Sequence, residues 1–179
     1  MTGRLIAIVG PSGAGKDTLI AGLIAARPEI HRARRAITRP AAPSEDFETL
    51  SPAEFAALRG GGGFAMSWLA HDLGYGIRHA ELAPLAQGRD VIFNGSRAAL
   101  PDCLAVFPQL QVIEIVVSPA KLQARLAGRG REDAAEIAAR LARAEMVLPP
   151  GLGAVRIVND GARAAGIAAL IAALQPESA

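Results

Sequence analysis

A single cysteine, Cys103, occurs in 179 residues, so no internal disulfide framework is available and the residue reads as a small core hydrophobe. The three histidines are scattered and form no zinc-ligand spacing. Long apolar runs are missing too. The longest uncharged one, Ala164 to Leu174, falls short of the roughly 18 residues needed to cross a bilayer, and Met1 to Val9 is too brief for a signal peptide. A soluble, cytoplasmic chain without membrane partners is expected. Neither sign of charge dominates: 19 Lys+Arg stand against 17 Asp+Glu for a formal charge of +2, which does not mark a nucleic-acid protein. Lysine is rare, with only Lys16 and Lys121 among the basic residues and arginine elsewhere. A lysine at a special place is therefore informative. With 51% hydrophobic and 20% charged residues, the chain can bury one sizeable core and is not disordered.

Leu5 to Val9 is a continuous apolar run bounded by Gly10 and Pro11, the pattern of a strand buried on both faces. Similar runs recur at Val91 to Phe93, Val112 to Val117 and Val155 to Val158. Helical patterns lie between them at Asp17 to Ala26, His79 to Gln87, Pro119 to Ala127, Asp133 to Val147 and Ala162 to Leu174. Strands alternating with helices imply an α/β fold, a central parallel sheet flanked by helices. The rhythm breaks between about Arg39 and Gly76, where a Pro- and acid-rich stretch, a short helix Pro52 to Leu58 and a flexible glycine loop Gly60 to Gly63 precede short strands around Phe64 to Leu69 and Tyr75 to Ile77. This stretch reads as an insert, about 39–77, within one domain spanning 1–179.

Directly after the first strand comes Gly10-Pro11-Ser12-Gly13-Ala14-Gly15-Lys16-Asp17-Thr18, followed at once by a helical pattern. Strand, glycine loop and helix in this order make a phosphate-binding P-loop. Glycines let successive N–H groups converge on phosphate oxygens, the helix N-terminus adds partial positive charge, and the Lys16 ammonium reaches the terminal phosphates. The usual Ser or Thr after the lysine is replaced by Asp17, with Thr18 one place later. Asp17 and Thr18 are the candidate Mg²⁺ ligands, directly or through water; the other reading of Asp17 is a first-turn acid favoured by the helix dipole.

The strand Val91 to Phe93 ends in Asn94-Gly95-Ser96-Arg97, without the acid that would complete a metal site there. An amide can position a water or a substrate hydroxyl, and Arg97 can hold phosphate bidentately. Phosphoryl transfer depends mainly on aligning anionic groups and neutralising charge, so arginines are the expected tools. Arg125, Arg129, Arg131, Arg140 and Arg143 lie on two helical patterns joined through Gly128 and Gly130, over about 119–147. They read either as a hinged lid or as a salt-bridged helix face. Arg27, Arg32, Arg34, Arg35 and Arg39 form a further cluster where the insert begins, suited to an anionic acceptor or, in part, to solvated surface.

Taken in order, Gly10 to Asp17, Ile37-Thr38-Arg39, Ser67-Trp68, Tyr75-Gly76, Asn94-Gly95-Ser96-Arg97, Arg125-Leu126, Arg129-Gly130-Arg131-Glu132, Arg140-Leu141 and Asn159-Asp160-Gly161 resemble the guanylate-kinase fold group. The closest resemblance is to its ribose 1,5-bisphosphate phosphokinases, and it runs nearly end to end. It implies a P-loop nucleotide kinase fold with a small acceptor-binding insert and an Arg-bearing helical lid. It implies that Lys16 and the loop amides bind the phosphates of ATP, with Mg²⁺. Arg125, Arg129 and Arg140 would close on the transferred group, and Asn159 would lie near the adenine. Arg39, Tyr75 and Arg97 would contact the acceptor, although a Tyr-Gly pair is about as often a packed turn, and Trp68 reads as a core aromatic. True guanylate kinases carry a second arginine three residues after Thr-Arg and a guanine-reading acid before the tryptophan. Here Ala42 and Ser67 occupy those slots, which disfavours GMP.

The implied activity is ATP-dependent phosphorylation of ribose 1,5-bisphosphate to 5-phosphoribosyl 1-diphosphate in phosphonate breakdown, with small-molecule substrates as partners, by a monomer or homodimer. The alternatives are a nucleoside monophosphate kinase and, of another class, a non-catalytic binding module on the same fold. The intact Lys16 cradle argues against the last.

Overall fold

The computed structural model describes every residue except Met1, 43–44, His71, 129–133, Glu145, Pro150 and 176–179, and of 134–136 and Arg143 it describes only the backbone. In chain order the elements are β1 (Leu5–Val9), α1 (Lys16–Ala26), β2 (His31–Arg32), β3 (Arg35–Ile37), β4 (Glu48–Thr49), α2 (Pro52–Gly60), β5 (Phe64–Ala70), β6 (Leu73–Arg78), a 3₁₀ stretch His79–Gln87, β7 (Val91–Asn94), a 3₁₀ turn Arg97–Ala99, α3 (Leu100–Val106), β8 (Gln111–Val116), α4 (Pro119–Ala127), α5 (Ala134–Ala144), β9 (Val155–Val158) and α6 (Arg163–Ala173). The chain divides into two compact units, Met1–Ile6 with Glu29–Gln111, and Ala7–Pro28 with Val112–Ala179. A five-stranded sheet is ordered β2-β7-β1-β8-β9 and a four-stranded one β4-β3-β6-β5.

In the first unit, β2 pairs parallel to β7, and Asp90, just before β7, takes the amide of Arg4 at 2.8 Å and its guanidinium at 2.5 Å and 3.1 Å. Asp90 therefore fastens the start of its strand. The four-stranded sheet is two-faced. Gly74 and Gly76 flank Tyr75 on β6, and a Cβ at either would sit 2.7 Å and 2.4 Å from the rings of Phe55 and Phe64 respectively. Those rings form a small core with Ala36 and Leu50. Because side chains alternate across a strand, Tyr75 must project from the other face, beside Trp68, its partner on β5.

In the second unit, β8 and β9 pair parallel. Every residue of β1 is buried, which is why its sequence is apolar without alternation. Helices α1 and α6 approach closely where they carry glycine. A Cβ on Gly22 would lie 2.2 Å from Ile167 Cδ1, and one on Gly166 would lie 2.9 Å from Leu19 Cδ2.

Several expectations need correction. The helix expected over His79 to Gln87 is 3₁₀, since Pro84 inside it has no N–H and its ring clashes with the carbonyl four residues back in an α-helix. Gly60 to Gly63 is not a flexible loop. The N–H of Gly63 donates to Leu58 O at 2.7 Å and that of Gly62 to Arg59 O at 3.4 Å, with Gly62 at φ 69°; this is a Schellman cap that lengthens α2 to Gly60. The other end of α2 is closed by a capping box of Ser51 and Glu54. The four-stranded sheet starts at Arg35, ahead of the insert boundary expected at Arg39, and α3 was not expected. Strands β2, β3 and β4 have only two or three residues each, too few for a period to register.

Candidate active site

In the second unit the chain turns from β1 into α1 through Gly10 at φ 142°, Gly13 at φ 92° and Gly15 at φ 92°, conformations that side chains rarely adopt. Space is limiting as well, because a Cβ on Gly10 would lie 2.2 Å from the carbonyl oxygen of Ile115. Gly15 is the N-cap of α1 and makes no side-chain hydrogen bond to its amides, the arrangement in which a helix N-terminus can take an anion. The Lys16 ammonium folds over the loop, donating to the carbonyls of Gly10 and Pro11 at 2.9 Å each. Asp17 and Thr18 follow in the first turn, both exposed.

The floor of this cradle is the Ala14 carbonyl, which accepts from Asn159 Nδ2 at 2.7 Å and from Arg125 Nη1 at 3.3 Å. Arg125 also donates through Nη2 to Asn159 O at 2.7 Å. Asn159 is buried, 6% exposed, in space left by Gly166, where a Cβ would come within 2.6 Å of Asn159 Oδ1. Its amide thus supports the loop from beneath. Arg140, from α5, donates to Ser12 Oγ at 2.9 Å. Asp160 takes the Ser118 amide at 2.8 Å, and that hydrogen bond holds its carboxyl below the usual range. Of the expected nucleotide-side arginines, Arg125 and Arg140 both reach the loop, while Arg129 lies outside the described residues, as do Gly130, Arg131 and Glu132.

The expected acceptor residues lie in the first unit. Thr38 pins β3 to β6, its Oγ1 accepting from Gly74 N at 2.8 Å and its own amide donating to Gly74 O at 3.1 Å. Next to it, Arg39 lies 4.6 Å over the Phe47 ring and donates to both oxygens of Glu45 at 2.7 Å. Glu45 also takes the amide of Ala42 at 2.9 Å, and these bonds lower its pKa to about 2. Tyr75 stacks on Trp68 with centroids 5.6 Å apart. Burial raises the phenol's pKa against the opposing fields of Arg35 and Arg39, so at neutral pH its hydroxyl is a donor. Arg97 opens the 3₁₀ turn after Asn94. Ser67 pairs with Gly76 and projects from the face opposite Trp68 and Tyr75.

Two participants were not singled out from the sequence. Glu45 was visible only as part of an acid-rich stretch. Arg35 was one of five clustered arginines; in the structure Arg34 is tied to Asp46 at 2.6 Å, whereas the Arg35 guanidinium lies 5.7 Å from the centroid of the Tyr75 ring. Among the described residues no three His, Cys, Asp or Glu gather as a metal centre, and no helix is long and apolar enough to cross a membrane.

The chain is 48% identical over 180 residues to a ribose 1,5-bisphosphate phosphokinase PhnN of Ruegeria sp. (strain TM1040), covering 99% of this chain and 94% of that protein. It is 46% identical to part of a bifunctional ribose 1,5-bisphosphokinase-thymidine phosphorylase of Azorhizobium caulinodans, of which the match covers 26%. A crystal structure of guanylate kinase from Anaplasma phagocytophilum superposes with a TM-score of 0.68 over 99% of this chain and 88% of its own, at 17% identity. The fold is therefore that of a guanylate-kinase-like P-loop kinase. No protein-family model matches the chain.

Proposed function

We infer, from the fact that this chain belongs to the ribose 1,5-bisphosphate phosphokinase family, that it transfers the γ-phosphoryl group of ATP to ribose 1,5-bisphosphate, yielding 5-phosphoribosyl 1-diphosphate and ADP in phosphonate breakdown. The observation that carries the reading is the cradle itself: a left-handed glycine loop closed by Lys16 and met by Arg125 and Arg140. An oxygen of the acceptor's 1-phosphate attacks the γ-phosphorus. The bond to the β–γ bridging oxygen breaks, and its electron pair leaves on ADP. The attacking oxygen is already ionised at neutral pH, so no general base is needed.

Loop amides and the α1 N-terminus bind the phosphates of ATP, and Lys16 exchanges its two loop carbonyls for phosphate oxygens. Arg125, held at the cradle floor, and Arg140, reaching Ser12, neutralise charge on the transferred group, with 119–147 acting as the lid and Arg129 as a further lid residue. Asn159 keeps the loop in its receptive shape and borders the nucleotide. Arg39, Tyr75 and Arg97 hold the acceptor. Asp17 and Thr18 supply hard oxygen donors of the kind Mg²⁺ prefers and would hold it, directly or through water; when bound, the ion neutralises phosphate charge. The protein works in the cytoplasm, with the two small-molecule substrates as its partners.

The reading is tested by following ADP release with ribose 1,5-bisphosphate, ribose 5-phosphate and GMP as alternative acceptors. Turnover should be confined to the bisphosphate; saturable turnover of GMP alone would replace this reading by a nucleoside monophosphate kinase. Asp17→Ser should raise the Mg²⁺ concentration needed for half-maximal rate, and an unchanged requirement would make Asp17 a structural first-turn acid.

A further inference from the structure

The established family activity needs an acceptor that carries two phosphates, and of the two guanidiniums named for it, Arg39 follows β3 whereas Arg97 opens the 3₁₀ turn after β7, outside the four-stranded sheet. Much of the positive charge of Arg39 is offset by Glu45, whose two oxygens it holds at 2.7 Å. A second cation lies close by. Arg35 pairs with Ile77 across β3 and β6, and Ile37 pairs with Tyr75, so Arg35 shares the sheet face from which Tyr75 and Trp68 project. Its guanidinium lies 5.7 Å from the Tyr75 ring centroid, and its Nη1 points at the Asn94 carbonyl at 3.4 Å, at the end of β7. A charged phosphate oxygen is a stronger acceptor for a guanidinium than a backbone carbonyl.

We propose that Arg35 is a second acceptor-phosphate residue, holding the phosphate that Arg39 does not, so that one face of the four-stranded sheet reads a sugar bisphosphate. The inference rests on the substrate reading above. Tyr75 serves both halves of this site: its ring backs the Arg35 guanidinium, and its protonated hydroxyl is a donor for a phosphate oxygen. Two cations, one on this sheet face and one just beyond the end of β3, select for two anionic groups. An acceptor with a single phosphate can satisfy only one of them.

The test is steady-state kinetics of the full chain, comparing the wild type with Arg35→Ala, Arg35→Lys and Arg39→Ala. Arg35→Ala should raise KM for ribose 1,5-bisphosphate by about 10- to 100-fold, the usual loss of a hydrogen bond to a charged group, with KM for ATP within about twofold. Arg35→Lys, which keeps the charge without the fork, should recover part of that loss. Ribose 5-phosphate used as a competitive inhibitor should be weakened by only one of the two alanine substitutions. An unchanged acceptor KM in Arg35→Ala would overturn the assignment. So would an inhibition constant raised equally by both substitutions, because the two arginines would then share one phosphate. A parallel shift in kcat, both KM values and the melting temperature, without recovery in Arg35→Lys, would reduce Arg35 to a packing role. A wild-type enzyme that turns over GMP and not ribose 1,5-bisphosphate would instead overturn the substrate reading, and this inference with it.

Discussion

Both carboxylate oxygens of Glu45 meet the guanidinium of Arg39, Oε2 at 2.7 Å from Nη1 and Oε1 at 2.7 Å from Nη2. Hydrogen bonding to Arg39, and next to the Ala42 amide, lowers the Glu45 pKa from 4.5 to about 2. A carboxyl with a depressed folded-state pKa stabilises the fold above its unfolded value, and that stabilisation is lost as pH falls towards the folded value. The pair should therefore weaken between pH 4.5 and about 2. Both side chains are 36% exposed, which limits the effect to about 1 kcal/mol or less. Melting temperatures of the wild type and Glu45→Gln should differ at pH 6 and converge towards pH 2; a constant gap across that range would show that the pair contributes nothing through ionisation.

Arg39→Ala should raise KM for the acceptor by about 10- to 100-fold, because a charge-assisted contact to phosphate is removed, while KM for ATP changes by less than about twofold. Arg39 lies in the first unit and the cradle in the second, so the two substrate constants separate the two sets of residues. Equal weakening of both substrates would remove Arg39 from the acceptor site.

Asn159→Ala deletes the buried donor that holds the Ala14 carbonyl. Stability should fall by about 1–3 kcal/mol, the range for leaving a buried polar group short of a partner, and KM for ATP should rise because the loop loses its support. Thermal denaturation and ATP titration check the two halves independently. A residue that only touched the base would alter nucleotide preference and leave the melting temperature alone.

Glycine positions offer an internal control. At Gly10, φ is 142° and an added Cβ would meet Ile115 O at 2.2 Å, whereas at Gly161 nothing lies within 4 Å. Gly10→Ala should be severely destabilising or fail to fold, by strain and overlap with backbone. Gly161→Ala should stay within about 0.5 kcal/mol of the wild type. Comparable losses in the two variants would contradict the loop geometry.

The long, strongly patterned parts of the fold were legible in the sequence. Leu5 to Val9 is uninterrupted because all five residues are buried, and the helices α1, α4 and α6 lie within a residue of where apolar spacing puts them. What escaped was short or set by contacts distant in sequence. No local rule makes a strand of His31-Arg32; pairing with Val91 and Ile92 does. Four glycines in a row gave no sign that Leu58 and Arg59 would capture their amides. The cradle could be read because its residues are consecutive. The face proposed for the acceptor is less legible, because Arg35, Trp68 and Tyr75 come from three strands, and pairing alone brings Arg35 out of a run of similar arginines to the Tyr75 ring. Asn159 was recognised by its motif, but its hydrogen bond to Ala14, 145 positions away, could not be.

The most direct measurement is phosphorus NMR of ATP, Mg²⁺ and ribose 1,5-bisphosphate incubated with the wild type and with Lys16→Ala. The wild type should produce ADP and a sugar diphosphate in equal amounts, and the folded Lys16→Ala protein should produce neither. A wild-type protein that binds ATP yet forms no diphosphate from the sugar bisphosphate, or a Lys16→Ala variant as active as the wild type, would contradict transfer from this loop.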